Sequence, residues 1–210
     1  MPRSVVIVGA GGHGREVCNV LLASASLHDF AFMGFLDDGT PPTEPIGRLG
    51  GQLLGPVRAL EQLLATDEEI VHYVAIGDPG IRRSLAGGAE RLGSMTAPPL
   101  VHPTAHLGLD VQLGAGSVLF PGAVLTTNVR VGRHVHLSPN VTVSHDVHIG
   151  DYVLAYPGVS VLGDAVVEAG VTLGANAVIH KGVRVGSGAR IAPGAAILHD
   201  VPATGAWVRG

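Results

Sequence analysis

The residues best suited to chemistry are a histidine–aspartate pair, His145-Asp146, and a glycine three hexads later in a six-residue repeat, Gly163. Free imidazole has a pKa of ~6.5, so its neutral form can take a proton from an attacking amine near pH 7. The backbone N–H of a glycine can be approached without a side chain in the way, and it can stabilise a developing oxyanion. A carboxylate bonded to the second ring nitrogen would set the tautomer. These parts suit acyl transfer from a thioester to an amine.

A second group lies at the start of the chain, in the loop Gly9-Ala10-Gly11-Gly12-His13-Gly14. It fits the pattern G-x-G-x-x-G, in which glycines let the backbone approach a phosphate at a helix N-terminus. Asp37 follows this loop near the distance expected for an acid that binds a ribose. The pattern leaves two interpretations open: a nucleotide site, or a tight strand-to-helix turn without a ligand.

A six-residue repeat over 105–206 must position His145 and Gly163. Its third position is Leu, Val or Ile in fifteen of seventeen hexads, with Ala155 and Ala203 the exceptions, and its phase is unbroken. A period of six does not match the 3.6 residues per turn of a helix, and Gly, Asn or Asp closes many hexads, where a chain turns with positive φ. The repeat predicts a β-solenoid with three hexads per triangular coil. Residues three hexads apart then stack, which places the glycine one coil beyond the histidine.

The first hundred residues alternate predicted strands and helices. Strands are predicted over Ser4–Val8, Ala31–Leu36 and Ile70–Ile76, and helices over Arg15–Ala25, Pro56–Ala65 and Pro79–Leu92. The stretch with three prolines after the second strand is predicted to be a loop. This alternation predicts a small parallel sheet with helices on both faces, so the chain divides into domains 1–100 and 101–210. Ligands of such sheets bind at the carboxyl edge, where Asp37 and Asp38 follow the second strand.

The composition of the chain limits which binding partners and which cellular compartment are expected. A net charge of −4 with 14% charged residues gives no reason to expect nucleic acid. The single cysteine, Cys18, excludes an intramolecular disulfide and fits a reducing compartment. The apolar run at the N-terminus is too short for a signal peptide or a membrane span. We therefore expect a cytoplasmic protein with no membrane partner.

The opening GAGGHGREV, then FLDD, then AIGD, then hexapeptide repeats, resembles the bacterial nucleotide-sugar acetyltransferases along essentially the whole chain. These include enzymes that N-acetylate a UDP-4-amino-4,6-dideoxy sugar. The resemblance implies a small Rossmann-like α/β domain with a parallel sheet, followed by an all-β left-handed parallel β-helix. It also implies a homotrimer, acetyl-CoA bound between neighbouring prisms as co-substrate, and no metal.

The resemblance also implies roles for individual residues. In the solenoid, the family motif places the general base at His145, with Asp146 as its orienting partner. The stacking of the coils, rather than the resemblance, predicts that Gly163 binds the coenzyme as well as the oxyanion and that Lys181 contacts a phosphate of the coenzyme. In the small domain, the implied contacts are phosphate or sugar for Gly9, Gly11, Gly12 and His13, ribose and base for Asp37 and Asp38, and closure of the pocket for Gly77 and Asp78. Leu154 departs from the family, whose members often carry a second histidine there.

Other histidines of the solenoid are predicted to have no chemical role. The predicted outward positions on a solvated face are His106, His136, His148 and His180.

Two other functions remain open, a sugar O-acetyltransferase and a non-catalytic nucleotide-sugar-binding scaffold. A metal hydrolyase of the γ-carbonic-anhydrase kind is disfavoured because the repeats lack the His-x4-His pair of that family. An NAD dehydrogenase is disfavoured because no second domain for hydride chemistry follows.

Overall fold

The computed structural model describes residues 2–24, 29–66 and 69–209, and the chain divides into two compact units, residues 1–98 and 99–210. The N-terminal unit contains, in chain order, β1 (Arg3–Val8), α1 (Gly12–Ala23), β2 (Phe30–Leu36), α2 (Thr43–Arg48), β3 (Leu53–Gly55), a 3-10 turn (Val57–Ala59), α3 (Leu60–Leu64), β4 (Val71–Val74), α4 (Pro79–Arg91) and β5 (Met95–Thr96). Among the described residues, no helix is long and apolar enough to span a bilayer.

Five parallel strands form the sheet of this unit, in the order β3-β2-β1-β4-β5. The central strand β1 is inaccessible to solvent over 5–8, as expected for an apolar run covered on both faces. The chain order reverses beside β1, and open α/β sheets bind ligands at the carboxyl ends of the strands next to such a reversal. The predicted α/β class is confirmed.

Two local predictions for this unit were wrong. The segment predicted to be a loop holds α2 and β3, because Pro42 and Pro45 stand at the N-cap and in the first turn of α2, where a missing N–H costs little. Helix α1 begins at Gly12 rather than Arg15, so part of the glycine loop is the first helical turn. The predicted end of that helix, Ala25, lies outside the described residues.

The second unit is a left-handed parallel β-helix, as predicted. Its two-residue strands are β6 (Leu100–Val101), β7 (His106–Leu107), β8 (Gln112–Leu113), β9 (Val118–Leu119), β10 (Val124–Leu125), β11 (Arg130–Val131), β12 (His136–Leu137), β13 (Thr142–Val143), β14 (His148–Ile149), β15 (Leu154–Ala155), β16 (Ser160–Val161), β17 (Val166–Val167), β18 (Thr172–Leu173), β19 (Val178–Ile179), β20 (Arg184–Val185), β21 (Arg190–Ile191), β22 (Ala196–Ile197) and β23 (Trp207–Val208). They form three parallel sheets of seven, six and five strands.

Strands stack at the predicted spacing of three hexads, for example Thr142 on Ser160 and Ser160 on Val178. The first- and third-position residues of the hexads together fill the axis as a single aliphatic cluster. Leu125, Val143 and their equivalents on later coils are almost completely buried. Every helix in the described part of the chain ends at or before Arg91.

The unbroken phase predicted as far as residue 206 was wrong for the last coil. Val201 pairs with Val185, and Trp207 pairs with Arg190, so both pairings fall short of the three-hexad spacing. Val201, rather than Ala203, is buried at this level. A valine removes more apolar surface from water than an alanine does, which favours the shortened turn.

Candidate active site

His145 and Asp146 stand at a corner of the solenoid, just after β13. The backbone on both sides of the histidine is fixed, since Ser144 N–H donates to Val161 O (2.9 Å) and Asp146 N–H donates to Thr127 O (3.1 Å). Asp146 turns the chain with a φ of 60°, a conformation that aspartate tolerates better than most residues. The corner therefore presents both side chains to solvent on a rigid backbone, and each is about half exposed.

The two side chains are hydrogen-bonded to each other. His145 Nδ1 lies 2.8 Å from Asp146 Oδ2, and Asn128 Nδ2 donates to Asp146 Oδ1 from the preceding coil. The hydrogen bond from His145, and then that from Asn128, hold the pKa of the Asp146 carboxyl below its usual range. An ionised carboxylate accepts only, so the shared proton resides on Nδ1 and the lone pair of Nε2 points away from Asp146.

The imidazole of His145 lies against Gly163 on the next coil. A Cβ placed on Gly163 would be 2.6 Å from both Cε1 and Nε2 of the ring, closer than carbon atoms approach. The amides on either side of this glycine are used, since Leu162 N–H donates to Ile179 O and Asp164 N–H to His145 O. Among the described residues, the amide of Gly163 donates no backbone hydrogen bond. A basic nitrogen and an available N–H donor therefore stand side by side.

Lys181, the predicted phosphate contact, has an acidic partner. Its Nζ lies 3.2 Å from Asp164 Oδ2, and both side chains are largely exposed.

The same corner holds three potential metal ligands within 4.8 Å of one another, from His145, Asp146 and Asp164. Because Lys181 neutralises Asp164 and Asp146 already holds Nδ1, the set fits a hydrogen-bonded base better than a metal centre.

One histidine prediction was wrong. His106, His148 and His180 are exposed, but His136 is completely buried, with its ring 6.5 Å from that of Phe120. The signal was present in its column, because the residues one coil away on either side, Val118 and Leu154, are apolar and also buried.

In the small domain, the glycines of the loop fall into two kinds. Gly9 has a φ of 104° and lies against Ala75, while a Cβ on Gly14 would overlap the carbonyl oxygen of Gly9. These two glycines make the strand-to-helix turn. Gly11 and Gly12 have no atom within 4 Å of a Cβ position, so their smallness leaves room for a ligand. Helix α1 has no side-chain cap and no acidic residue in its first turn, which suits an anion.

The acidic residues of this domain have partners of their own. Asp37 accepts from Ala10 N–H (2.7 Å) through one oxygen and from Gly39 N–H (2.8 Å) through the other. Asp38 accepts from Val57 N–H (2.9 Å). Because a carboxylate oxygen has more than one lone pair, ribose hydroxyls can still bind. Asp37 therefore ties the glycine loop to the end of β2.

The remaining predicted substrate contacts of the small domain are His13, Gly77 and Asp78. Asp78 caps helix α4 by accepting from Gly80 and Ile81 N–H, both at 2.9 Å. The carbonyl of Gly77 accepts from Arg82, a completely buried arginine that the sequence analysis missed. Burial lowers the pKa of His13, against the opposing effect of Glu16.

Two known protein-family models match this chain, one in each of its two units. A family model described as the PglD N-terminal domain matches residues 4–88, and one described as bacterial transferase hexapeptide (six repeats) matches residues 146–181 and 164–199. UDP-N-acetylbacillosamine N-acetyltransferase of Bacillus subtilis (strain 168) is 30% identical over 121 residues, which are 56% of this chain and 51% of that protein. The match thus spans about half the length of that curated relative.

Solved structures match along nearly the whole chain. The acetyltransferase domain of PglB from Neisseria gonorrhoeae FA1090 is 31% identical with a TM-score of 0.88, over 99% of this chain and 97% of that one. The same domain in complex with acetyl coenzyme A is 30% identical, also with a TM-score of 0.88, over 100% and 97% of the two chains. PerB from Caulobacter crescentus, in complex with CoA and GDP-perosamine, is 26% identical with a TM-score of 0.85, over 96% and 91%.

Proposed function

The chain belongs to the hexapeptide-repeat nucleotide-sugar acetyltransferases, and from that membership we propose that it acetylates the amine of a nucleotide-linked 4-amino sugar with acetyl-CoA. The observation that carries the proposal is the His145–Asp146 pair, whose imidazole lies against a glycine with an available N–H. Similarity to an acetyltransferase domain along 99% of the chain supports the same reaction.

In this mechanism His145 acts as the general base. Its Nε2 takes a proton from the sugar amine as the nitrogen attacks the thioester carbonyl carbon, and Asp146 stabilises the imidazolium that forms. The N–H of Gly163 donates to the carbonyl oxygen as negative charge develops there. The C–S bond then breaks, the sulfur leaves as the thiol of coenzyme A after protonation by His145, and the sugar keeps the acetyl group as an amide.

The small domain would bind the nucleotide. Gly9 and Gly11 lie just before α1, and Gly12 and His13 begin its first turn, where amide N–H groups and the helix dipole favour a diphosphate. Asp37 and Asp38 would accept from ribose and base, and Gly77 and Asp78 would bound the other side. GDP-perosamine in the PerB complex is a precedent for a nucleotide-linked amino sugar in a protein similar to this one.

Acetyl-CoA would bind along the solenoid, with Gly163 at the acetyl group and Lys181 near a phosphate. For that contact, Lys181 would exchange the carboxylate of Asp164 for a phosphate oxygen, which also forms a charge-assisted hydrogen bond with an ammonium group. We propose a homotrimer, because open solenoid faces need cover and the coenzyme groove needs a second wall. We also propose that it works in the cytoplasm, because its single cysteine fits a reducing compartment. Light scattering at micromolar concentration tests the assembly, and a monomer would refute it.

Thiol release from acetyl-CoA, measured with UDP-, GDP- and dTDP-linked 4-amino sugars, tests the reaction. We expect release with at least one amino sugar and not with its 4-hydroxy analogue. The reverse preference would indicate a sugar O-acetyltransferase. Binding of a nucleotide sugar without any thiol release would indicate a non-catalytic scaffold. Thermal stabilisation by each nucleotide sugar, with and without coenzyme A, identifies the ligand independently of turnover.

A further inference from the structure

We propose that Asn128 is a positioning residue of this site, whose side-chain amide holds Asp146 in place and thereby keeps the proton of His145 on Nδ1. The kinetic consequences rest on the proposed function, whereas the effect on the imidazole does not. The inference comes from a hydrogen-bonded series that runs across two coils, from Asn128 Nδ2 to Asp146 Oδ1, and from Asp146 Oδ2 to His145 Nδ1.

Asn128 and Asp146 occupy the same turn position on consecutive coils. Their φ angles are 55° and 60°, and each backbone N–H is bonded to the coil before, to Leu109 O (3.0 Å) and Thr127 O (3.1 Å). The two side chains therefore start from fixed, stacked backbones. The position is filled by Asp110, Asn128, Asp146, Asp164, Gly182 and Asp200 on successive coils. Asn128 is the one side chain of this column that carries hydrogen-bond donors.

The chemistry of the partners fixes the direction of each bond. An ionised carboxylate has acceptors only, so Asn128 must present its NH₂ group rather than its carbonyl to Asp146. With Oδ1 occupied by Asn128, Oδ2 is turned toward the imidazole. Without that anchor, the half-exposed Asp146 side chain would be free to rotate into solvent, and Nδ1 would lose its partner for part of the time.

A purely conformational role for Asn128 in the turn does not account for this contact. Gly182 makes the same turn in the same column with a φ of 71°. Asn140 and Asn176 make equivalent turns at another corner, where each amide lies beside a glycine, Gly122 or Gly158. Asn128 instead lies beside the carboxylate that holds the candidate base.

Two substitutions of Asn128 separate its role in the turn from its hydrogen bond to Asp146. Asn128→Gly keeps the left-handed turn and removes the donor, and Asn128→Asp keeps the shape but places an acceptor against Asp146. Asn176→Gly is the matched control for the loss of a turn asparagine. In the wild-type background, Asn128→Gly should lower kcat by roughly three- to thirtyfold, with KM values for both substrates nearly unchanged, as expected for groups in one network.

A double-mutant cycle separates positioning from general stabilisation. If Asn128 acts through Asp146, then Asn128→Gly should have little further effect on kcat in an Asp146→Asn background. Asn176→Gly should leave kcat unchanged in both backgrounds. A loss of kcat that is equally large in the wild-type and Asp146→Asn backgrounds would overturn the proposal, as would an Asn128→Gly enzyme with wild-type kcat.

The tautomer can be measured without any turnover. Two-bond ¹H–¹⁵N spectra of the histidine rings distinguish Nδ1–H from Nε2–H, and comparison with His145→Gln identifies the signals of His145 among the 11 histidines. We expect the Nδ1–H form in the wild type and a shift toward Nε2–H in Asn128→Gly and Asn128→Asp, but not in Asn176→Gly. An unchanged ring in both Asn128 variants would refute the inference even if the protein acetylates a sugar. The expected shift in a protein without thiol release would refute the proposed function alone.

Discussion

The imidazole of His145 occupies the space that a Cβ on Gly163 would fill, with Nε2 and Cε1 2.6 Å from that position. Successive coils of the solenoid thus bring a base and a backbone N–H together without any contribution from loops. The precision comes from the ladder on either side, where Ser144 and Asp164 bond to the coils next to them.

Gly163→Ala should lower kcat at least tenfold while leaving the melting temperature nearly unchanged. The added methyl group displaces the imidazole ring, which can rotate away, so folding is spared and alignment is lost. Gly205→Ala is the matched control, because a Cβ there meets no atom within 4 Å. Steady-state kinetics and thermal unfolding of both variants check this, and an active Gly163→Ala enzyme would contradict the site geometry.

Asp37→Ala should weaken sugar-nucleotide binding at least tenfold and also destabilise the small domain. The substitution leaves the buried N–H of Ala10 without its acceptor, which costs about 1–3 kcal/mol. Asp38→Ala frees only the N–H of Val57 and should weaken binding with a smaller change in stability. Calorimetric titration should show unchanged acetyl-CoA affinity in both. Wild-type nucleotide affinity in a folded double variant would remove both residues from the site.

Gly158→Ala should destabilise the solenoid more than Gly194→Ala does. Both glycines turn with positive φ, 73° and 71°, so each alanine carries the same conformational penalty of about 1–2 kcal/mol. A Cβ at Gly158 would in addition overlap Oδ1 of Asn176, whereas none lies near Gly194. Thermal unfolding measures the difference, and Asn176→Gly should abolish it. Equal losses in the two variants would show that the coils relax around the contact.

Glu168→Gln should destabilise the protein at neutral pH but much less in acid. Ser187, and then Arg184, lower the pKa of the Glu168 carboxyl by hydrogen bonding to it. A pKa depressed in the folded state gives stability that is present above the unfolded value of ~4.3 and is lost as pH falls toward the folded value. Melting temperatures of the two proteins should therefore differ at pH 7 and converge once the pH falls below the lowered pKa of the Glu168 carboxyl. A difference that persists in acid would exclude the charge as its cause.

The hexad pattern was sufficient to predict the solenoid and the stacking of His145 on Gly163. The period is set by backbone geometry and one buried column, both of which are visible in the sequence. The last coil escaped prediction because the choice between Val201 and Ala203 for the axis depends on how the turn shortens, not on periodicity.

The directions of individual side chains could not be predicted from the sequence. The hydrogen bonds that Asp37 accepts from Ala10 and Gly39 N–H, beside its predicted contact with a ribose, could not be read from the sequence. The sequence did not indicate that Arg82 is buried, because a charged residue on a helix is ordinarily exposed. Its burial depends on the carbonyls of Ile76 and Gly77 turning toward it. Such contacts depend on rotamers and carbonyl orientation, which no spacing encodes.

The general-base role of His145 is tested most directly by kcat for thiol release by His145→Ala, measured with saturating acetyl-CoA and the best nucleotide amino sugar. If His145 is the base, kcat should fall by a factor of roughly 10²–10⁴, the range for loss of a general base. Dissociation constants for both substrates should stay close to wild type, since the histidine acts in the transition state. The kcat of Asp146→Asn should lie between that of the wild type and that of His145→Ala. A His145→Ala enzyme that binds both substrates and keeps most of the wild-type kcat would contradict the assignment of His145 as the base.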